Sequence, residues 1–135
     1  VLLAVLVAEM ALTALMFSAL GTFLASRISQ VDSFQAVLQF FVVPMFFLSG
    51  ALFPLSRLPA WLAALTKLNP LTYAVDLLRR SVFSRLDLPA ELAARLNPGV
   101  TWNGWRLPAW FELAVVAVLG SVVLVAAAVQ FSRTD

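Results

Sequence analysis

Acid–base or metal chemistry in this sequence would fall to carboxylates. Among its 135 residues there is no histidine and no cysteine, and there are only seven aspartates and glutamates. That removes disulfides, thiol nucleophiles, imidazole bases and the usual zinc sites together. Three carboxylates invite a functional reading. Glu9 sits two turns into an apolar run, where a charge is costly and by default a functional candidate. Near the end of that run it can also reach the interface or pair with another helix. Glu112 falls in the first turn of a later apolar run, where it favours the helix dipole and can face headgroups. Asp76 precedes Arg79 and Arg80 by three and four residues, the favourable order for ion pairing along a helix, and such pairing accounts for all three. No two carboxylates are spaced as an acid/base pair, and HExxH, GxSxG and the phosphate-cradling GxxxxGK[ST] are absent. The expectation is a chain that is not an enzyme, with no catalytic, cofactor-binding or metal-binding residues of its own.

The elements that hold these groups follow from composition. The chain is 62% hydrophobic and 12% charged, with a mean hydropathy of +0.96, so lipid is its natural solvent. The net charge of +2 comes from basic residues scattered through apolar sequence, which argues against nucleic acid and for membrane lipid as a partner. A hydrophobic run is already under way at Val1. At 26 residues it is too long for a signal peptide and lacks the basic region and cleavage site of one. It reads as a span in the C-terminal part of a longer protein. The expected fold is all-α and polytopic, with spans over about 1–26, 34–53 and 110–131. Two short re-entrant or interfacial helices, about 58–68 and 70–83, lie between the second span and the third.

Within the first span, Ala14, Ser18, Gly21 and Ala25 form a small-residue stripe through which another helix can approach closely. A short polar turn, Arg27 to Ser33, makes the next span an antiparallel neighbour, with Ser33 as a candidate cap. Pro44 removes a backbone donor and predicts a kink in that second span, and Ser49-Gly50 loosens its exit. After the break at Phe53-Pro54, Leu58 to Leu68 would rise only about 16 Å as a helix, half of a crossing. Asn69 and Pro70 have the types expected of a helix cap and a first helical residue. The helix they start places Leu71, Val75, Leu78 and Val82 on one side and Thr72, Asp76, Arg79 and Arg80 on the other. Residues 84–107 are richer in turn signals, with Asn97-Pro98-Gly99 and Asn103-Gly104 as breaks and a brief helix from Pro89 to Leu96. Trp102, Trp105 and Trp110 precede the last span as an interfacial aromatic belt, and Ala117, Gly120 and Ser121 supply a second close-packing patch.

This order of features resembles the C-terminal half of an ABC-2 type exporter permease, the family that includes drug-resistance, nodulation-factor and polysaccharide exporters. The resemblance rests on Ser18-Ala19-Leu20-Gly21, Pro44, Phe47-Leu48-Ser49-Gly50, Phe53-Pro54, Leu58-Pro59, Asn69-Pro70-Leu71-Thr72-Tyr73, Asp76 and Arg79, and continues more loosely into the last span. It implies that the three spans are the fourth, fifth and sixth of a six-span permease in a plasma membrane, specifically a bacterial inner membrane. It also implies a second permease copy, a homodimer being expected, and a separate cytosolic ATP-binding subunit that hydrolyses the ATP. The cargo would be a drug, a lipid or a glycan. Kink and gate residues would be Pro44, Ser49, Gly50, Pro54, Asn69, Pro70, Tyr73, Asp76, Arg79 and Arg80, in a segment capping the exit on the external side.

Charge counting points to the other side. Seven basic residues (Arg57, Lys67, Arg79, Arg80, Arg85, Arg95 and Arg106) lie between residues 56 and 109, and a plain positive-inside count would place them in the cytosol. Earlier spans can fix orientation against that count, and the resemblance favours the exterior. An ion-coupled carrier using Glu9 or Glu112, or a non-catalytic assembly subunit, remain the alternatives.

Overall fold

The computed structural model describes residues 2–52, 55, 58–96 and 98–133. Three helices are long and apolar enough to cross a membrane: α1 (Leu2–Ala25), α2 (Val31–Leu48) and, last in the chain, α6 (Ala109–Ser132). Between α2 and α6 come three shorter helices, α3 (Ala60–Leu68), α4 (Pro70–Phe83) and α5 (Ala90–Leu96). A hairpin of two-residue strands, β1 (Thr101–Trp102) and β2 (Trp105–Arg106), precedes α6, with Trp102 opposite Trp105. Its turn is Asn103-Gly104, both with positive φ (50° and 82°), the pairing that a two-residue hairpin turn requires. The fold is thus an all-α polytopic membrane protein, in which 9-residue α3 and 14-residue α4 are too short to cross.

α1 and α6 lie along each other, and α4 packs against both. The close approach is at Gly120, where an added methyl would stand 3.3 Å from the Cβ of Met16. On α6 the buried face runs through Glu112, Val116 and Ala127; on α1 it runs through Met16 and Ala19. The core joins Met16 and Val116 to Tyr73, Ala74 and Leu77 of α4 and to Val100 and Leu107 of the hairpin region. Three successive crossings put the start of α1, the end of α2 and the start of α6 at one face of the bilayer. α4 lies alongside the first half of α6, its Tyr73, Ala74 and Leu77 sharing a core with Val116 and Met16.

Several boundaries differ from those expected. α2 begins at Val31 rather than 34, with Gln30 preceding it, and its first turn has no side-chain cap. Ser33 lies inside the helix and its hydroxyl donates to Gln30 Oε1 at 3.3 Å, so it is not the cap. α2 ends at Leu48 rather than 53 because Gly50, two residues on, takes a left-handed conformation (φ 81°) that terminates helices. The helix continues through Pro44, which lies on an exposed face. Pro54, with Phe53, Arg57, Asn97 and Asp135, lies outside the described residues.

Candidate functional site

The last four carbonyls of any helix lack intrahelical partners, and at the end of α2 side chains answer most of them. Asn69 Nδ2 donates to Met45 O at 2.7 Å, Thr72 Oγ1 to Leu48 O at 3.2 Å, and Ser49 Oγ to Phe46 O at 2.7 Å. Just beyond the helix, Arg79 Nη2 donates to Gly50 O at 2.6 Å. A cation is favourable there because the negative end of the helix dipole lies close by. Three of these four donors belong to α4 or its cap. The end of the second span is therefore fastened to α4 by polar bonds.

Asn69 performs two tasks with one amide. While its nitrogen holds α2, its Oδ1 accepts from Leu71 N at 3.0 Å and caps α4. Pro70 follows at the first helical position, where its missing N–H would have had no partner. Tyr73, buried in the core, donates its hydroxyl to Lys67 O at 2.5 Å and so closes the end of α3. Burial holds its phenol above the usual tyrosine range, keeping it a donor.

The other side of α4 is ionic. Arg80 Nε donates to Asp76 Oδ2 at 3.1 Å, and its Nη2 lies 3.0 Å from the same oxygen. Nη2 also donates to Glu112 Oε1 at 2.8 Å and to Leu107 O at 2.6 Å. Glu112 is fully buried (0% exposed) and Asp76 nearly so. Val100 N donates to Asp76 Oδ2 at 3.4 Å, joining the chain before the hairpin to the same group. One residue further along α4, Ser81 Oγ donates to Glu9 Oε1 of α1 at 2.8 Å. The remaining oxygens, Glu9 Oε2 and Glu112 Oε2, are buried without a hydrogen-bond partner among the described residues.

The residues singled out in the sequence are thus distributed over two faces. Ser49, Gly50, Asn69 and Arg79 converge at the end of α2, while Asp76 and Arg80 turn toward α6. Arg79 and Arg80 therefore do not share Asp76: of the two, Arg80 pairs with it while Arg79 bonds Gly50. Glu112 does not face headgroups but is the inner partner of Arg80. Its position four and eight residues before Val116 and Gly120 placed it on the packed face of α6, a signal legible in the sequence. Ser81 carried no such signal. Along the small-residue stripe, Ala14, Ser18 and Ala25 are exposed and Gly21 is half-buried with open space around its α-carbon, so α1 packs within this chain through Met16 and Ala19 instead. Among the described residues no cluster of three or more acidic side chains is placed to hold a metal. Mechanically the arrangement ties one helix to four neighbours.

Residues 3–83 match the family model described as ABC-2 type transporter. Over 75 residues the chain is 36% identical to Nodulation protein J of Sinorhizobium fredii (strain NBRC 101917 / NGR234), covering 56% of this chain and 29% of that protein. It is 33% identical over 75 residues to Nodulation protein J of Rhizobium leguminosarum bv. viciae, with the same coverage. Against Nodulation protein J of Rhizobium meliloti (strain 1021) it is 33% identical over 69 residues, 51% of this chain and 26% of the relative. The matched stretch thus spans less than a third of these relatives' length. No solved structure matches the chain. With a family model covering α1 through α4, and with three helices long and apolar enough to cross a membrane, this chain belongs to the ABC-2 type transporter family as a multi-pass membrane segment.

Proposed function

We propose that the chain is the C-terminal half of the membrane subunit of an ATP-binding cassette exporter, contributing the fourth to sixth spans to the pathway of a drug, lipid or glycan. In this reading two permease copies, as a homodimer, sit in a bacterial inner membrane with α3 to α5 on the external side. A separate cytosolic subunit binds and hydrolyses ATP, and the permease itself carries no enzymatic step.

The observation that carries the mechanism is the fastening of α2 to α4. No described residue of α2 is buried, so within this chain α2 is held chiefly at its C-terminal end. ATP-driven movement of the rest of the permease tilts α2 about Pro44. Asn69, Thr72 and Arg79 pass the displacement to α4, which moves as a lid at the outer leaflet. The bonds from α4 to Glu112 and Glu9 oppose that movement and return the lid. Leu71, Val75 and Leu78, half-buried in this chain, and the exposed Val82 give the lid an apolar side for lipid or cargo.

The test is purification of the tagged full-length permease followed by transport in proteoliposomes. Co-purification of an ATP-binding subunit, with ATP-dependent export weakened several-fold by Arg79→Ala, supports the reading. A permease that transports without ATP and stops when the proton gradient collapses would replace it with an ion-coupled carrier.

A further inference from the structure

One side of α2 is turned away from the rest of the chain. The half-buried residues of that helix, Phe34, Val37, Leu38, Met45 and Leu48, share one face. At about 100° per residue, Asp32, Gln35, Gln39, Val42 and Phe46 form a stripe about 120° around from that face, and all five are exposed. Their spacing of three, four, three and four residues is the period of a seam along which two helices wind on each other. The stripe also carries a group that hydrocarbon cannot satisfy. Gln39 is the ninth of the 18 residues of α2, about 12 Å along it from Val31, too deep for a glutamine side chain to reach the headgroups. Its amide makes no side-chain hydrogen bond among the described residues.

A primary amide both donates and accepts, so it is complementary to a copy of itself. A single polar side chain in an otherwise apolar seam also fixes register and partner number. Two copies of α2 related by a two-fold axis along the membrane normal run parallel and bring Gln39 opposite Gln39 at one depth, where each side-chain N–H can donate to the other's Oε1. A dissimilar span would need a polar group of its own at that depth. Asp32 lies in the first turn of α2, at the end of the span, where its carboxylate can face water. We propose that the stripe from Gln35 to Phe46 is the surface on which a second copy of this chain packs, with the two Gln39 amides bonded to each other and Val42 and Phe46 closing the seam beyond them. The proposal rests on the reading that two permease copies assemble, and names the contact between them. Fastened at its end to α4 of its own chain and along its side to the other copy, α2 would carry movement between the two halves of the pathway.

The experiment is oxidative cross-linking of the full-length permease in its membrane, with any other cysteines replaced and a single thiol introduced by Gln39→Cys or Val42→Cys. A lone thiol can form a disulfide only with another copy, so a band of twice the permease mass on a denaturing gel reports the contact itself. Gln39→Cys and Val42→Cys are expected to give that band, whereas Phe40→Cys, exposed on another side of α2, is not. Dilution of the wild type and Gln39→Leu in lipid vesicles, with copies counted by single-molecule photobleaching, should show association about five-fold weaker in the variant. Absence of the doubled band from Gln39→Cys and Val42→Cys, or an equally strong band from Phe40→Cys, would overturn the proposal and assign the stripe to other spans of the same permease or to a water-filled pathway. Unchanged association in Gln39→Leu would overturn it as well. In each case a wild type that still pairs leaves the two-copy reading standing; a wild type found as single copies throughout the dilution removes that reading and the proposal with it.

Discussion

α2 and α4 are opposites. α2 is apolar from Phe40 to Leu48, its polar residues Asp32, Ser33, Gln35 and Gln39 all falling in the first half, and it buries none of its residues; α4 carries Thr72, Asp76, Arg79, Arg80 and Ser81 in 14 residues and buries five. In water the order would be reversed. In lipid, apolar surface gains nothing by leaving the solvent, and packing follows hydrogen bonds, ion pairs and close fit. α4 therefore sits at the centre because its polar groups need partners that hydrocarbon cannot supply, and each neighbouring helix provides some: carbonyls from α2 and α3, carboxylates from α1 and α6. α2 is held at one end by the same bonds and leaves its flanks open. A span anchored at its tip and bare along its length is suited to pack against, and move with, other helices of a larger transporter.

The comparison breaks most visibly at Arg80. Arg80→Leu leaves the buried carboxylate of Glu112 and that of Asp76 without their cation, and removing one member of a buried ion pair costs about 3–5 kcal/mol. Thermal unfolding of the purified permease should shift down sharply, or the protein should fail to accumulate. Adding Glu112→Leu should restore part of the loss, since it removes the buried polar group left without its partner. Next in size is Asn69→Leu, which loses both a helix cap and the bond to Met45 O, together about 2 kcal/mol. Asn69→Asp sharpens the point: it keeps the cap acceptor but sets a carboxylate against the α2 carbonyl, so α4 should persist while α2 loosens, seen as faster amide exchange confined to the end of α2. Gly50→Ala should cost about 1–2 kcal/mol for the left-handed backbone alone, with the new methyl only 3.0 Å from Leu55 Cγ. Smallest is Val42→Ala on the flank of α2, expected to change melting by less than about 0.5 kcal/mol while weakening association with the rest of the permease. If Val42→Ala proved as harmful to melting as Asn69→Leu, the contrast between the two helices would not hold.

What could be read from the sequence was what local chemistry decides. Asn69 and Pro70 marked the start of α4 because a cap and a first-turn proline act within three residues, and the apolar lengths of α1 and α6 marked two spans to within a residue or two. The partners of Arg79 and Arg80 were hidden for the opposite reason. Asp76 stood three and four residues away and offered a complete local answer, yet Arg79 bonds Gly50 at a separation of 29 residues and Arg80 reaches Glu112 across 32. Only the packed fold brings those groups together. The end of α2 was missed because apolar composition continues past Leu48, while the stop is set by backbone at Gly50. Asn103-Gly104 was recognised as a break, but strands of two residues leave no alternating pattern from which to infer a hairpin.

The most direct test uses the absence of cysteine in this sequence. Lys67→Cys and Arg95→Cys, made singly in the full-length permease with any other cysteines replaced, place one thiol before α4 and one after it. Cells are treated with a membrane-impermeant maleimide before and after permeabilisation. A re-entrant α4 predicts that both positions label from the same side, the exterior by the proposed orientation, while a thiol at Arg133 labels only after permeabilisation. Labelling of Lys67→Cys and Arg95→Cys from opposite sides would make α4 a full crossing and contradict the account.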